Sequence, residues 1–255
     1  MAGFRALPYP NYLFSNKNDW QRSGIRGIGY NIDEPTLIKG KNKMSKEYTK
    51  IQTVFKRDMT NKGRIIEGVY SLPEIEYLKD NKWTWTEKVD GTNIRIEWVR
   101  GVGRKFGGRT DNAQIPAFLY ERLEELFPLE KLDAAIKTED ADFLTLYGEG
   151  YGAKIQKGGG NYKSDGVDFV LFDILVAGWW LKREDVEKVA DQLAIDIVPI
   201  VKIGTLEEAV NHTRDGFVSN WGSFDAEGLV MKPSVELQNR AGHRIITKIK
   251  HKDFL

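Results

Sequence analysis

The chain has 255 residues, with 38 lysines and arginines against 37 aspartates and glutamates, so its net charge of +1 does not by itself announce an acidic or nucleic-acid partner. It has no cysteine, and its three histidines, His212, His243 and His251, share no ligand spacing, which excludes a disulfide scaffold, a thiol nucleophile and a zinc site. No apolar run approaches the ~20 residues of a membrane span and Met1-Ala2-Gly3-Phe4-Arg5 lacks a signal-peptide core, so a cytoplasmic protein without membrane contact is expected.

Residues 1–46 are polar and glycine-dotted without clear periodicity, and are read as an N-terminal extension whose Tyr12, Phe14 and Trp20 anchor it to a domain spanning 47–255. After a short helix, Trp83-Thr84-Trp85-Thr86 and Ile94-Arg95-Ile96-Glu97-Trp98-Val99 alternate as half-buried strands do. Asp90-Gly91 between them is a tight-turn signal, which places Lys88 at a strand end beside a hairpin turn, with an open face above it. Lys-x-Asp-Gly taken alone fits a solvated surface lysine better than a catalytic one. Further along, Arg109-Thr110 closes a strand, and 116–127 has helical spacing with Glu121, Glu124 and Glu125 on a solvated back. The run Phe143–Leu146 ends at Tyr147-Gly148-Glu149-Gly150, and Phe169–Ile174 reads as a buried strand with Val170, Phe172 and Ile174 on one face. Trp179 and Trp180 read as core packing at a turn. A helix follows over 183–193, a strand over 197–203 and a short helix over 206–212. The last strands carry Glu227 and Lys232, then Lys248 and Lys250, the final pair sharing a face through the two-residue period. Gly148-x-Gly150-x-x-Ala153 matches a dinucleotide fingerprint, but Lys157-Gly158-Gly159-Gly160-Asn161 breaks the helix that fingerprint needs, so it reads as a loop. Hairpin-type connections argue an α+β fold with antiparallel sheets flanked by helices.

Basic residues gather at Arg22, Arg26, Lys39, Lys41, Lys43 and Lys46, and again at Lys232, Arg240, Arg244, Lys248, Lys250 and Lys252. If both groups lie near Lys88 they form a phosphate-tracking surface; spread evenly they are solubility charges.

Taken in order, these segments resemble the motifs of the covalent nucleotidyltransferases, the superfamily of ATP-dependent DNA and RNA ligases and RNA capping enzymes. Glu87-Lys88-Val89-Asp90-Gly91-Thr92-Asn93 and Gly148-Glu149-Gly150-Tyr151-Gly152-Ala153-Lys154-Ile155-Gln156-Lys157 are most similar to the RNA ligase 2 family, as is Glu47-Tyr48-Thr49-Lys50-Ile51-Gln52. Asp90 departs from the histidine often found there and matches the DNA ligases instead.

The resemblance implies an adenylyltransferase domain of ATP-grasp-like type working on ATP with magnesium or manganese; ligases of this superfamily usually append a C-terminal OB module, but none is expected here, and a monomer is expected. Lys88 would be the nucleophile, and Lys232, Lys248 and Lys250 the cations expected around an amine that must react unprotonated. Glu149 would accept from the ribose hydroxyl, Phe172 would stack on adenine, and Glu87, Asn93, Arg109 and Lys232 would complete nucleotide binding, with Glu227 handling the metal. The implied activity is an RNA ligase that seals 3′-hydroxyl and 5′-phosphate ends. Sealing of DNA or of a nicked RNA/DNA duplex, guanylyl transfer to RNA caps and a non-catalytic nucleic-acid-binding module are the alternatives.

Overall fold

The computed structural model describes residues 47–137 and 141–255; the 1–46 extension, its aromatic anchors and the first basic group lie outside the described residues. A five-stranded sheet runs in the order β1 (Gln52–Thr53), β13 (Thr247–Lys250), β12 (Gly228–Pro233), β4 (Trp83–Glu87), β11 (Ile200–Gly204). A second sheet orders β10 (Asp196–Ile197), β8 (Val167–Val176), β7 (Phe143–Gly152), β5 (Thr92–Val99), β6 (Gly103–Gly108), with the short β9 (Trp179–Trp180) on β8. A separate hairpin pairs β2 (Phe55–Asp58) with β3 (Arg64–Tyr70). Interior pairings are antiparallel, as expected, while the edge pairs β1–β13 and β8–β10 are parallel.

The two-residue period decides which side chains go outward and which face the other sheet. On β4, Trp83 and Trp85 enter one core with Leu229 and Met231 of β12 and Ile249 of β13, under the helix α6 (Leu206–Asp215). That helix buries Leu206, Ala209, Val210 and Thr213 at helical spacing and starts at a capping box in which Thr205 and Glu208 satisfy each other's backbone N–H. On the other sheet Ile94, Ile96, Trp98, Leu144, Leu146, Phe169 and Leu171 pack against Leu119 and Leu123 of α2 (Ala117–Leu126), Leu132 of α3 (Leu129–Ala135) and Val186 of α5 (Arg183–Gln192). Each sheet is thus covered on its outer face, and the alternate residues meet between the sheets: Tyr147, Leu175, Phe172, Val230 and Ile246 form one small cluster there with Tyr48. Two shorter helices, α1 (Pro73–Tyr77) and α4 (Gly159–Tyr162), complete the described set.

Three expectations change. Lys88-Val89-Asp90-Gly91 is not a hairpin turn: β4 and β5 belong to different sheets, and the segment crosses from one to the other. Strand 197–203 is split at Pro199, so that β10 pairs with β8 and β11 with β4, again stepping between sheets. The short helix expected before Trp83 is α1, preceded by strands β1 to β3. Trp180 is packed, but Trp179 is 77% exposed. The 153–158 segment is a turn region as expected, and the single turn of α4 after it is too short to recreate a dinucleotide-binding helix.

Candidate active site

The inner faces of the two sheets enclose a cavity of about 370 Å³. Lys88, Asn93, Arg109, Glu149, Phe172, Lys232 and Lys248 line it, together with Tyr48, Lys50, Thr86, Val198 and Ile246. Gly91 sits in the crossover because no side chain fits: a Cβ there would overlap the Gly150 carbonyl oxygen and lie 2.7 Å from Glu149 Cγ. The crossover therefore presses against β7, holding Lys88 beside Glu149.

The Lys88 amine is bonded to a carboxylate, Glu227 Oε2 at 2.6 Å, and at 3.4 Å to the Val89 carbonyl, rather than being ringed by cations alone. Lys250, expected beside it, binds the other Glu227 oxygen and does not line the cavity. Glu227 thus bridges two amines; burial pushes its carboxyl up, but Lys88 and Lys250 outweigh that and hold it below the usual range. The expected crowding of like charges falls on Lys248, whose amine is held low by burial and then by Lys88 and Lys250. Glu149 shows the opposite: burial, reinforced by Glu227 and Asp90 and opposed by Lys88 and Lys248, raises it to about 7. Asn93, opposite Glu149 in the β5–β7 ladder, has a buried Oδ1 without a hydrogen-bond partner among the described residues.

Glu87 also lines the cavity, but its carboxylate is engaged elsewhere. Being one residue from Lys88, its side chain lies on the opposite face of β4, where its carboxylate accepts from Ser219 Oγ at 2.6 Å and from the Asn220 backbone N–H at 2.8 Å and Nδ2 at 3.2 Å. It pins the loop before Glu227; the carboxylate is already satisfied.

Phe172 and Asp173 both reach the cavity although they are neighbours, because the β7–β8 register skips Phe172. This bulge reverses the alternation, so Ile174 joins Leu171 in the outer core instead of sharing a face with Val170 and Phe172. Asp173 was not anticipated. It accepts two bonds from Arg244, at 2.7 and 2.9 Å, one from Lys232 at 2.6 Å and one from the Tyr48 hydroxyl at 2.5 Å. Arg244 also binds Glu236 and stacks on Trp180, 4.1 Å from its ring centroid. A lone carboxylate inside the apolar run Phe169–Ile174 was the available signal, since buried carboxylates are rarely left unpaired. The second basic group is consequently not one solvent-facing surface: Lys232 and Arg244 serve Asp173, and Lys250 serves Glu227.

Two covered sheets closing on a lysine amine, further cations, a carboxylate and an aromatic ring define a cleft suited to a phosphorylated ligand that carries a ring. The chain belongs to the RNA ligase family, whose family model matches residues 81–250. Among solved structures, Naegleria gruberi RNA ligase with PPi is 21% identical with a TM-score of 0.60, the match covering 87% of this chain and 62% of that one. Variants of the same enzyme with ATP and Mn and with AMP and Mn, each 21% identical, have TM-scores of 0.60 and cover 84% of this chain and 58% of theirs. At this identity the likeness shows the fold, and the chain spans about three fifths of the length of those structures. No curated protein matches the chain in sequence.

Proposed function

We propose that this chain is the adenylyl-transferring part of an ATP-dependent RNA ligase, with Lys88 as nucleophile and an ATP-grasp-like arrangement of the domain. The observation that carries the reading is the convergence on one cavity of Lys88, Arg109, Glu149, Phe172, Lys232 and Lys248, drawn from four strands, the residue after β6 and a crossover. ATP enters with adenine against Phe172 and its ribose hydroxyls toward Glu149. The Lys88 nitrogen attacks the α-phosphorus, an N–P bond forms as the bridging P–O bond to the β-phosphate breaks, and pyrophosphate leaves. Glu227, 2.6 Å from the amine in the free protein, holds it in place, and the amine gives its proton to water before the attack. Lys248, Lys232 and Arg109 oppose the charge on the phosphates. AMP then passes to a 5′-phosphate end, freeing Lys88, and a 3′-hydroxyl displaces it to form the phosphodiester.

A magnesium site can be made of one carboxylate plus substrate phosphates and waters. Glu227 is the carboxylate for it, with Lys88 and Lys250 giving way; when bound, magnesium or manganese would neutralise charge on the departing pyrophosphate.

No helix among the described residues is long and apolar enough to cross a membrane. The reading includes a cytoplasmic, monomeric enzyme. Incubation with α-labelled ATP and magnesium should attach label covalently to the protein, and Lys88→Ala should abolish it; label retained by that variant rejects the assignment. Asp90 favours a second reading, DNA sealing, and nicks with RNA or DNA on the 3′-hydroxyl side separate the two.

A further inference from the structure

The β2–β3 hairpin lies outside both sheets and contributes nothing to the cavity, yet its stalk is attached at the cavity's edge. Thr53 of β1 is in register with Lys248, and the Val54 N–H donates to the Lys248 carbonyl at 3.0 Å. Arg57 fixes the hairpin there with three bonds: to Thr53 Oγ1 at 3.1 Å, to the Gly63 carbonyl at 2.8 Å and to the buried Asp253 carboxylate at 2.8 Å. Asp253 in turn accepts from the Lys250 backbone N–H at 3.1 Å, so the hairpin and the strand carrying Lys248 are tied together.

Phe55, Ile65 and Tyr70 face inward and anchor it to the core, leaving Lys56, Lys62 and Arg64 exposed, none with a carboxylate partner among the described residues. The hairpin's acids are engaged: Asp58 accepts from Thr60, and Glu67 pairs with Arg214. Lys62 occupies a left-handed position, φ +53°, which asparagine or glycine adopts at lower cost, so a cation is kept at the turn against local preference. Met59, 81% exposed, and Ile66, 42% exposed, add apolar surface beside these charges. Lys50, exposed and lining the cavity, continues the basic line toward Lys88.

We propose that this hairpin is a docking surface for the sugar–phosphate backbone of the RNA being sealed, with Lys56, Lys62 and Arg64 neutralising phosphates and Met59 and Ile66 lying against its sugars or bases. The inference rests on the ligase reading and names where the polynucleotide leaves the cavity. Charge complementarity selects a polyanion as the occupant: an exposed ribbon whose three cations have no carboxylate partner among the described residues, and of whose two acids Glu67 is ion-paired, is built for phosphate and unsuited to an acid-free apolar partner.

The test uses the full chain and a nicked RNA duplex. The triple variant Lys56→Glu, Lys62→Glu, Arg64→Glu should bind the duplex at least roughly tenfold more weakly, and the slope of log affinity against log salt should fall in magnitude by about 2 to 3. Its covalent labelling by α-labelled ATP should stay at the wild-type rate, which also reports that it folds. A second variant with glutamine at the three positions should show the same loss of slope with a smaller loss of affinity. Unchanged affinity and slope in both variants overturn the proposal, as does weakened binding with an unchanged salt slope. Failure of labelling in the wild-type protein would instead overturn the ligase reading, leaving the binding result to be read on its own.

Discussion

At the scale of single residues, the cavity is a place where protonation states are set by neighbours. Glu149, raised to about 7, is neutral in the folded protein over a range where it would be ionised in the unfolded chain. Its contribution to stability is therefore fully present below its ordinary value near 4.5 and is lost as pH rises through about 7. Glu149→Gln removes that penalty: the variant should be at least as stable as wild type at pH 8, by up to about 3 kcal/mol, and equal to it near pH 4, measured as urea midpoints. The same variant should lose most covalent labelling, because an ionised carboxylate is the stronger acceptor for ribose hydroxyls. In wild type, ATP affinity measured by calorimetry should strengthen as pH rises through 7, and in the variant that step should vanish. A variant destabilised at pH 8 would show that Glu149 is a packing group and not a strained acceptor.

At the scale of elements, the crossover between β4 and β5 is the part least tolerant of change. Gly91→Ala puts a methyl group into the Gly150 backbone carbonyl and against Glu149 Cγ, and the carbonyl, fixed in the β5–β7 ladder, cannot move aside as a flexible side chain could. The expected cost is about 1–3 kcal/mol, seen as a lower urea midpoint, together with a labelling defect larger than the stability loss explains, because Lys88 moves with the crossover. This element also shows what the sequence could and could not tell. Alternation placed Trp83 and Trp85 on one face and Lys88 on the other, and helical spacing found α2 and α5 to within a residue or two. Asp90-Gly91, however, signals only that the chain turns; whether the next strand pairs with the last depends on partners far along the chain, here β12 and β7. The bulge at Phe172 was hidden for the same reason, since an unpaired residue is defined by the strand opposite it. Glu87 was legible as part of a motif, but its bonds to Ser219 and Asn220 join residues more than 130 positions apart.

At the scale of the whole molecule, the two sheets are held together across the cavity by a buried charge network. Asp173 comes from the six-stranded sheet, Lys232 and Arg244 from β12 and the approach to β13, and Tyr48 from the segment before β1. Arg244 is only 2% exposed, so its charge depends on Asp173 and Glu236 for compensation. Asp173→Asn would leave Arg244 and Lys232 short of one negative charge in a desolvated place, and removing one partner of such a pair costs about 3–5 kcal/mol. For a domain of this size that corresponds to a melting temperature lower by roughly 6–20 °C. The acid behaviour fixes the mechanism. Burial alone would raise the Asp173 carboxyl, but Arg244 and Lys232 hold it well below the ordinary range, so its stabilisation is present above its ordinary value near 4 and is lost as pH falls below that. Wild type should therefore lose stability between about pH 4 and pH 2 by an amount that Asp173→Asn does not, and the two proteins should converge in acid. Equal stability at pH 7 would show that the sheets are held by Tyr147, Leu175, Val230 and Ile246 packing alone. Because Asp173 follows the bulged Phe172 and holds Lys232, the variant's ATP affinity should fall along with its stability, while Lys248→Ala, outside the network, should lower labelling and leave the melting temperature near that of wild type.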